Sequence, residues 1–305
     1  MYLPWEKPTP PIPSAKVIAE IGCNHMGRMD IARELIRHAQ LNGAHAAKFQ
    51  KRCIAELLSP EQYDAPHPNP ANSFGETYGK HREALELTVA QHAELKAFCE
   101  SVGIVYSASV WDTTSAREIA ALQPAFIKVP SAQNTNEAVL GILRDEYAGE
   151  VHISTGMSTP AEIEACVAWF EQRGMARTRL VLYSCTSGYP VPHHEVTLLD
   201  IRRLKETYGP RVAAIGFSGH HLGIALDVVA FALGATWIER HFTLDRTWKG
   251  TDQAASIEPQ GLSRLVRDIE AVALAWREKP AAMQAIEREQ RDKLKFRHPS
   301  ASSPA

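Results

Sequence analysis

Short apolar runs alternate with longer amphipathic stretches along most of the chain. Eight of the apolar runs have the length and the side chains of buried β-strands, and each is followed by a stretch with helical periodicity. The predicted strands span residues 17–21, 45–50, 104–109, 125–129, 150–154, 179–184, 212–217 and 236–241. The predicted helices span residues 29–41, 90–101, 113–122, 135–147, 160–173, 196–208, 224–233 and 259–276.

Boundary signals support several of these helices. Thr159 stands three residues before Glu162, the spacing of a capping box, and Thr113 and Thr114 precede an Ala-Arg-Glu run. Glycines follow several helical stretches, where a left-handed residue often ends a helix.

The order of the elements predicts the fold class. Strict alternation indicates parallel strands joined by crossover helices, and eight such units predict a closed (β/α)8 TIM barrel in a single domain. A doubly wound open sheet is the alternative. That fold usually carries a glycine-rich phosphate turn after its first strand, whereas residues 22–27 read Gly-Cys-Asn-His-Met-Gly and lack the GxGxxG spacing.

Three segments lie outside the repeated unit. Residues 52–81 form a long connection with prolines at 60, 66, 68 and 70, and are expected to be a lid or binding loop. Residues 1–15 are a Pro-rich segment, and residues 279–305 are expected to be a charged tail with a Ser-Pro-rich end. The barrel is thus predicted to span residues 16–278.

Composition and charge narrow the classes of protein. The 305 residues carry 33 basic and 35 acidic side chains, a formal net charge of −2, which argues against nucleic acid or an anionic membrane as a partner. No apolar run reaches the roughly 20 residues of a membrane span, and residues 1–13 lack a secretory signal pattern. Five separated cysteines without CxxC spacing favour a reduced, cytoplasmic protein.

Every predicted strand presents polar side chains where it ends, the position at which barrel enzymes carry their reacting groups. These side chains are Glu20, Lys48, Gln50, Ser107, Ser109, Lys128, Ser131, Ser154, Thr155, Ser184, Thr186, Ser187, Ser218, His220, Glu239 and His241. Any one of them could be a structural polar group. Polar groups at the same end of eight buried strands favour a site.

Lys48 and Lys128 each place an ammonium group inside an apolar strand. Each could instead reach solvent at the strand end or pair with a carboxylate such as Glu20, and for either lysine alone both interpretations stay open. Two lysines on one rim favour an anionic substrate that carries phosphate or carboxylate.

His220 and His241 end adjacent strands, so their imidazoles could share a divalent cation, with Glu239 or Asp252 as further ligands. Alternatively they are ordinary histidines, because the chain has 13 histidines and no HxH or HExxH motif. The strand-end hydroxyls could likewise hold phosphate oxygens or only cap helices. Residues 247–253 could be an ordinary solvated loop.

Seven of the strand-end segments form a recognisable set, in order, within residues 16–275. They read AEIGCNH at 19–25, AKFQ at 47–50, FIKVPS at 126–131, STGM at 154–157, CTSGYP at 185–190, GFSGH at 216–220 and ERHFTLD at 239–245. This set resembles the sialic acid (N-acetylneuraminate) synthase family. Residues 78–80, 218–220 and 247–250 look closer to the animal-type enzymes than to most bacterial ones.

The resemblance implies a TIM-barrel enzyme that condenses phosphoenolpyruvate with an amino sugar aldehyde, N-acetylmannosamine or its 6-phosphate. The products would be a nine-carbon 2-keto acid and phosphate. It also implies a homodimer and a divalent cofactor, Mn²⁺ or Mg²⁺, with His220 and His241 as the metal ligands. Carried over by position, Glu20, Lys48, Lys128, His220 and His241 would be catalytic. The substrate-binding residues would be Gln50, Ser109, Ser131, Gln133, Ser154, Thr186, Ser187, Tyr189, Ser218 and Asp252.

The sequence departs from the family pattern in three places. Family members usually continue into a small C-terminal antifreeze-like domain that supplies an arginine to the N-acetyl group of the sugar. This sequence is expected to lack that domain, because it stops soon after a linker-like stretch at 287–297. Gln133 and Gln253 stand where the family often has an acidic residue and a histidine, and both are expected to retune contacts with the sugar.

Two other functions stay open on the residues alone. The barrel could be a metal-dependent aldolase or isomerase that consumes pyruvate through a Schiff base at Lys48 or Lys128. It could also be a catalytically idle barrel that serves as a binding partner. The intact set of glutamate, lysines and histidines at the strand ends argues against such decay.

Overall fold

Eight parallel strands close into a barrel in the computed structural model, which describes residues 14–296. The strands are β1 (Lys16–Gly22), β2 (Ala46–Lys51), β3 (Val105–Val110), β4 (Phe126–Val129), β5 (Glu150–Ser154), β6 (Leu180–Cys185), β7 (Ala214–Gly219) and β8 (Trp237–His241). Each lies within two residues of its predicted bounds. Because β1 pairs with β8, the predicted TIM barrel is confirmed and the open doubly wound sheet is excluded.

Helices surround the barrel. They are α1 (Met29–Leu41), α2 (Ile54–Leu57), α3 (Pro60–Asp64), α4 (Tyr78–Leu85), α5 (Val89–Val102), α6 (Thr113–Ala121), α7 (Glu137–Asp145), α8 (Pro160–Glu171), α9 (Ala176–Arg179), α10 (Leu199–Tyr208), α11 (Ala225–Ala232), α12 (Pro259–Ala275) and α13 (Ala285–Leu294). The eight predicted helices correspond to α1, α5, α6, α7, α8, α10, α11 and α12, so each strand is followed by a packed crossover helix as expected.

The starts of two helices show what the sequence did and did not reveal. Thr159 and Glu162 form the predicted capping box before α8. The helix α6 begins at Thr113 as predicted, and its cap is the preceding Asp112, whose Oδ1 accepts a hydrogen bond from the Ser115 backbone N–H at 2.7 Å. A carboxylate is the stronger acceptor for first-turn N–H groups, because it also complements the positive helix terminus.

The segment 52–81, predicted to be a lid or binding loop, contains short helices. It contains α2, α3 and the start of α4, and Ser59 and Gln62 form a capping box on α3. Helices of four or five residues are too short to show periodicity in the sequence. The segment still follows β2, so it lies at the end of the barrel where the strands finish.

Two apolar layers and one polar layer build the barrel. Outward side chains of the strands, such as Phe49, belong to the same apolar core as helix side chains such as Leu35. The lower interior is filled by Ile18, Ala46, Phe126, Val181, Tyr183 and Trp237. Above this plug the inward positions are polar. Glu20 in β1 is the register partner of Lys48 in β2 and of His241 in β8, so these three side chains lie at one level of the barrel.

The ends of the chain lie partly outside the description. Residues 1–13 and 297–305 are outside the described residues, so the predictions for the Pro-rich segment and for the end of the tail remain untested. In the described part of the tail, α13 follows the barrel and has no buried residue. Within residues 14–296, no helix is both long and apolar enough to cross a membrane.

Three buried histidines, His25 after β1, His92 in α5 and His152 in β5, are expected to make the protein sensitive to mild acid. Burial lowers the pKa of His25 and His152 to about 4 and that of His92 to about 3. Between pH 6.5 and 4 the unfolded chain therefore binds more protons than the folded chain. Each histidine then lowers the free energy of unfolding by about 1.4 kcal/mol per pH unit as the pH falls. Thermal melts followed by circular dichroism should show the midpoint falling over this window.

A single substitution isolates one of these histidines. His92 Nδ1 lies 2.8 Å from the Tyr106 hydroxyl, and His92→Gln retains a polar group there without a titrating one. The slope of the free energy of unfolding against pH should become shallower by about 1.4 kcal/mol per pH unit, the contribution of one proton. His194→Gln, at an exposed position, is the matched control and should leave the slope unchanged. An unchanged slope in His92→Gln would contradict this assignment.

Candidate active site

The carboxyl ends of the strands surround a cavity of about 340 Å³. Twelve of the fifteen predicted site residues line it, namely Glu20, Lys48, Gln50, Ser109, Lys128, Ser131, Ser154, Ser187, Tyr189, Ser218, His220 and His241. Glu239, Trp111, Met157 and Cys185 complete much of the wall. The strand ends therefore converge on one space, as the closed barrel requires.

Two lysines and two glutamates form a buried charge cluster in this cavity: Glu20, Lys48, Lys128 and Glu239. Lys128 Nζ donates to both carboxylate oxygens of Glu239, at 2.9 and 2.8 Å. Lys48 forms an ion pair with Glu20, and its Nζ lies 3.7 Å from Glu239 Oε2. None of the four side chains is more than 7% exposed. Both interpretations of the lysines therefore hold. Each lysine is paired with a carboxylate, and each lysine lines the cavity.

Neutral side chains hold the charge cluster in place. Lys48 Nζ donates to Ser109 Oγ at 2.7 Å, Ser218 Oγ donates to Glu239 Oε1 at 3.0 Å, and Gln50 Nε2 donates to Glu20 Oε1 at 2.8 Å. Lys128 Nζ also lies 4.0 Å from the centroid of the Tyr183 ring, which is part of the apolar plug below. A buried charge is tolerated when it is paired and hydrogen-bonded in this way.

The two glutamates differ in their readiness to hold a proton. Burial alone would raise the pKa of Glu239, but the ammonium groups of Lys128 and Lys48 outweigh burial and lower it well below the usual range. Burial raises the pKa of Glu20; Lys48 offsets only part of this rise and the charge of Glu239 adds to it. Glu239 therefore resists protonation, whereas Glu20 takes up a proton more readily than an ordinary carboxylate does.

His220 and His241 face each other with ring centroids 5.5 Å apart. His220 Nδ1 lies 3.0 Å from the Thr186 carbonyl oxygen, which can only accept, so Nδ1 carries a hydrogen. Burial would lower the pKa of His220, but the Cys185 thiol beside it outweighs burial and raises that pKa. Burial lowers the pKa of His241 to about 4, which leaves it neutral near pH 7. Its Nδ1 is buried, has no hydrogen-bond partner among residues 14–296, and lies 3.7 Å from Asp252 Oδ2.

This pair fits a metal ion that takes two ligands from the protein. Neutral imidazole nitrogens are common ligands of divalent ions, and the carbonyl at His220 Nδ1 fixes a ring as outer partners of metal ligands do. Among the described residues, no group of three His, Cys, Asp or Glu side chains could hold a metal. Further positions would be filled by water or substrate. Glu239, suggested as a further ligand, is instead bound by the lysines.

The hydroxyls at the strand ends divide into two groups. Gly156 lets two serines approach the backbone closely, since a Cβ atom there would come within 2.6 Å of both Ser131 Oγ and Ser187 Oγ. These hydroxyls line the cavity and can donate to a bound anion. Thr155 and Thr186 instead donate to the carbonyls of Tyr183 and Glu195, at 2.9 and 3.1 Å, and have a structural role.

Comparison with known proteins gives the family. The sequence model of the NeuB family matches residues 35–280, most of the barrel. This chain belongs to the NeuB family. The resemblance seen in the strand-end segments is thereby confirmed.

Named relatives and a solved structure agree with this assignment. Human N-acetylneuraminate-9-phosphate synthase is 37% identical over 259 residues, which cover 85% of this chain and 70% of that protein. N,N'-diacetyllegionaminic acid synthase from Campylobacter jejuni is 32% identical and covers 85% of this chain and 76% of its own length. The crystal structure of N-acetylneuraminic acid synthetase from Leptospira borgpetersenii has a TM-score of 0.77 at 27% identity, covering 94% of both chains.

In this NeuB-family barrel, three predicted substrate-binding residues lie outside the cavity lining. Gln133 Oε1 accepts a hydrogen bond from Asn136 Nδ2 at 2.8 Å, and the Thr186 hydroxyl donates to the Glu195 carbonyl oxygen. Asp252 lies beside His241 in an adjoining pocket. Gln253 was expected to retune sugar contacts, but it is buried in the wall and its Nε2 lies 3.4 Å from the Asn24 carbonyl oxygen. That expectation is not supported by the contacts.

Sequence reasoning missed the adjoining pocket, which we name the outer pocket. It is lined by Arg52, His67, Asn69, Tyr78, Arg82 and Asp252, and shares part of the cavity wall. The proline-rich segment 52–81, predicted to be a binding loop, was the available signal, since it supplies Arg52, His67, Asn69 and Tyr78. Arg82 follows it in α4, a helix that the sequence did not predict.

Removing one carboxylate from the charge cluster should destabilise the fold strongly. Glu239→Gln leaves Lys128 buried beside a neutral amide, and breaking a buried ion pair in this way costs about 3–5 kcal/mol. Urea unfolding followed by circular dichroism measures the change. The double variant Lys128→Met/Glu239→Gln should recover part of the loss, because no unpaired charge remains between these two positions.

An exposed ion pair provides the comparison. Arg117 Nε and Glu146 Oε2 lie 3.4 Å apart, and both side chains are more than half exposed. Glu146→Gln should therefore change the free energy of unfolding by less than about 1 kcal/mol. Equal effects of Glu239→Gln and Glu146→Gln would show that the charge cluster contributes no more than a surface pair.

Proposed function

We propose that this chain joins phosphoenolpyruvate to an open-chain amino sugar aldehyde, giving a 3-deoxy-2-keto sugar acid and phosphate. The observation that carries the proposal is the meeting of the charge cluster with the imidazole pair in one cavity. The relatives support it, since they are named as N-acetylneuraminate-9-phosphate and diacetyllegionaminic acid synthases. N-acetylmannosamine or its 6-phosphate is the proposed kind of aldehyde.

The cavity offers donors suited to the anionic groups of phosphoenolpyruvate. Lys48 and Lys128 are cationic donors, and the hydroxyls of Ser131, Ser154 and Ser187 line the same wall. Phosphate and carboxylate oxygens accept charge-assisted hydrogen bonds from such groups. These residues would hold phosphoenolpyruvate with its phosphate towards the lysines.

A divalent cation, Mn²⁺ or Mg²⁺, is part of the proposal. The lysine charges are already balanced by Glu20 and Glu239, and His241 is neutral, so an anionic substrate would bring uncompensated negative charge into the cavity. His220 and His241 are the residues that would hold the cation. When bound, it would act as a Lewis acid that polarises the aldehyde carbonyl.

The proposed reaction forms one C–C bond and breaks one C–O bond. C3 of the enol attacks the aldehyde carbon, water adds at C2, and the tetrahedral intermediate collapses as its C–O bond to phosphate breaks. Glu20 would accept the proton that the adding water loses and pass it to the former aldehyde oxygen, and the burial that raises its pKa favours this transient protonation. Lys128 would stabilise the charge that develops on the departing phosphate, because its ammonium group is fixed in position before the reaction.

The other functions considered have less support. A Schiff base requires a neutral amine, whereas both lysines are ion-paired with carboxylates. The relatives are named as synthases rather than aldolases. The homodimer expected from the family resemblance stays a prediction.

The test of the function is phosphate release. We expect the purified protein to release inorganic phosphate only when phosphoenolpyruvate, an amino sugar aldehyde and Mn²⁺ or Mg²⁺ are all present. A panel of aldehydes with and without a 6-phosphate defines the acceptor, and mass spectrometry identifies the keto acid. No release with any aldehyde of the panel would reject the proposal. Consumption of pyruvate, with a borohydride-trapped adduct on Lys48 or Lys128, would favour the aldolase instead.

Replacing one imidazole tests the proposed metal ligands. His241→Ala should weaken Mn²⁺ binding at least tenfold, because one of two protein ligands is lost, and should abolish turnover. Calorimetry with Mn²⁺ alone measures the affinity without depending on activity. His194→Ala, at an exposed histidine, is the control and should bind Mn²⁺ as the native protein does. Unchanged affinity in His241→Ala would refute the assignment.

A further inference from the structure

The outer pocket opens from the cavity and has a volume of about 360 Å³. Four residues line both spaces, namely Gln50, Trp111, Tyr189 and His241. A single elongated ligand can therefore occupy both. If one end of the ligand reacts beside the imidazole pair, its far end lies in the outer pocket.

Two arginines face this pocket, and their charges are compensated differently. Arg52 is buried, and its Nη1 lies 3.2 Å from Glu86 Oε1. Arg82 is half-buried, and in the part of the chain that the structure describes it has no carboxylate within ion-pair distance. The outer pocket thus contains one arginine that lacks a counter-ion.

The guanidinium of Arg82 is held in a defined position. Its Nε and Nη2 donate to the Tyr78 hydroxyl oxygen at 3.0 and 2.7 Å, and its Cζ lies 5.0 Å from the centroid of the Tyr78 ring. Tyr78 and Arg82 are one turn apart in α4, which begins at a Thr77 cap. Among the described residues, Arg82 Nη1 makes no hydrogen bond, and the Tyr78 hydroxyl accepts from Arg82 and retains its own proton. Both are donors for a ligand.

The surroundings of Arg82 are positively charged. Burial, followed by the nearby His67, Arg82, Lys249 and Arg52, lowers the pKa of His81 to about 4. The carboxylate that lines this pocket is Asp252, which lies beside His241 Nδ1 at 3.7 Å. Its charge is therefore located at the end shared with the cavity rather than compensating Arg82.

Two loops that line this pocket, through Asn69 and Thr251, are joined next to it. The Gly250 backbone N–H donates to Asn72 Oδ1 at 3.4 Å, and Lys249 Nζ lies 5.0 Å from the centroid of the Phe74 ring. The segment after β2 and the loop after β8 are therefore in contact with each other. These contacts support the wall of the outer pocket from two sides.

We propose that the outer pocket binds a phosphate ester at the far end of the sugar aldehyde, with Arg82 and Tyr78 as donors. The inference rests on the proposed function for the reaction at the inner end. A phosphate ester carries about −1.5 to −2 charges at pH 7 and three acceptor oxygens, which suit a guanidinium and a hydroxyl together. A neutral hydroxyl at the same place would leave Arg82 without a counter-ion. This chain is therefore a synthase that selects phosphorylated amino sugars.

The substitution Arg82→Gln tests this selection. Steady-state kinetics are measured with N-acetylmannosamine 6-phosphate and with N-acetylmannosamine, and calorimetry measures the binding of each sugar. For the phosphorylated sugar, KM and Kd should rise about tenfold or more, the effect of losing a hydrogen bond to a charged group. For the unphosphorylated sugar and for phosphoenolpyruvate, KM should change less than twofold. Arg82→Lys should retain part of the preference, because it keeps the charge but not the planar fork.

Arg117→Gln is the control, because Arg117 pairs with Glu146 on the surface at α6, and it should leave all constants unchanged. If the native protein turned over both sugars with equal KM, the inference would be overturned while the proposed function stands. Tighter binding of the phosphorylated sugar without turnover of either would reject the function and support the inference. Equal weakening for both sugars in Arg82→Gln, with an unchanged melting temperature, would also overturn it.

Discussion

The structure depends on the mutual neutralisation of four charges inside a closed parallel barrel. A lone ammonium or carboxylate at this depth would cost several kcal/mol, and Lys48, Lys128, Glu20 and Glu239 avoid this cost only together. The arrangement requires the observed strand register. A slip of one residue would turn an inward lysine towards the helices and leave its glutamate partner unpaired.

The same neutrality constrains the chemistry. Two unpaired ammonium groups would simply attract an anion, but here each lysine already has a carboxylate partner. An incoming phosphate must therefore share the lysines with Glu20 and Glu239 or bring positive charge with it. The two imidazoles at the rim provide a place for such a charge, because His241 has an unpaired buried nitrogen and the Nδ1–H of His220 is directed to a carbonyl.

Much of the fold could be predicted from the sequence, because buried parallel strands are short apolar runs and their crossover helices carry a 3.6-residue period. The strand ends also identified most of the cavity. The short helices α2 and α3 could not be predicted, since one turn shows no period. The Lys128–Glu239 pair was equally hidden, because β4 and β8 are not neighbours in the barrel and the two residues are 111 positions apart. Only the closed barrel brings them together.

The cavity and the outer pocket are built by different parts of the chain, and this difference bears on specificity. The charge cluster lies on strands whose register fixes it, so its geometry tolerates little change. The outer pocket is formed largely by the segment after β2, by α4 and by the loop after β8, where residues can change without disturbing the barrel. A shared carbon–carbon bond-forming step can therefore be kept while the far end of the sugar varies. Relatives named for different sugar acids are what such a division of the chain would produce.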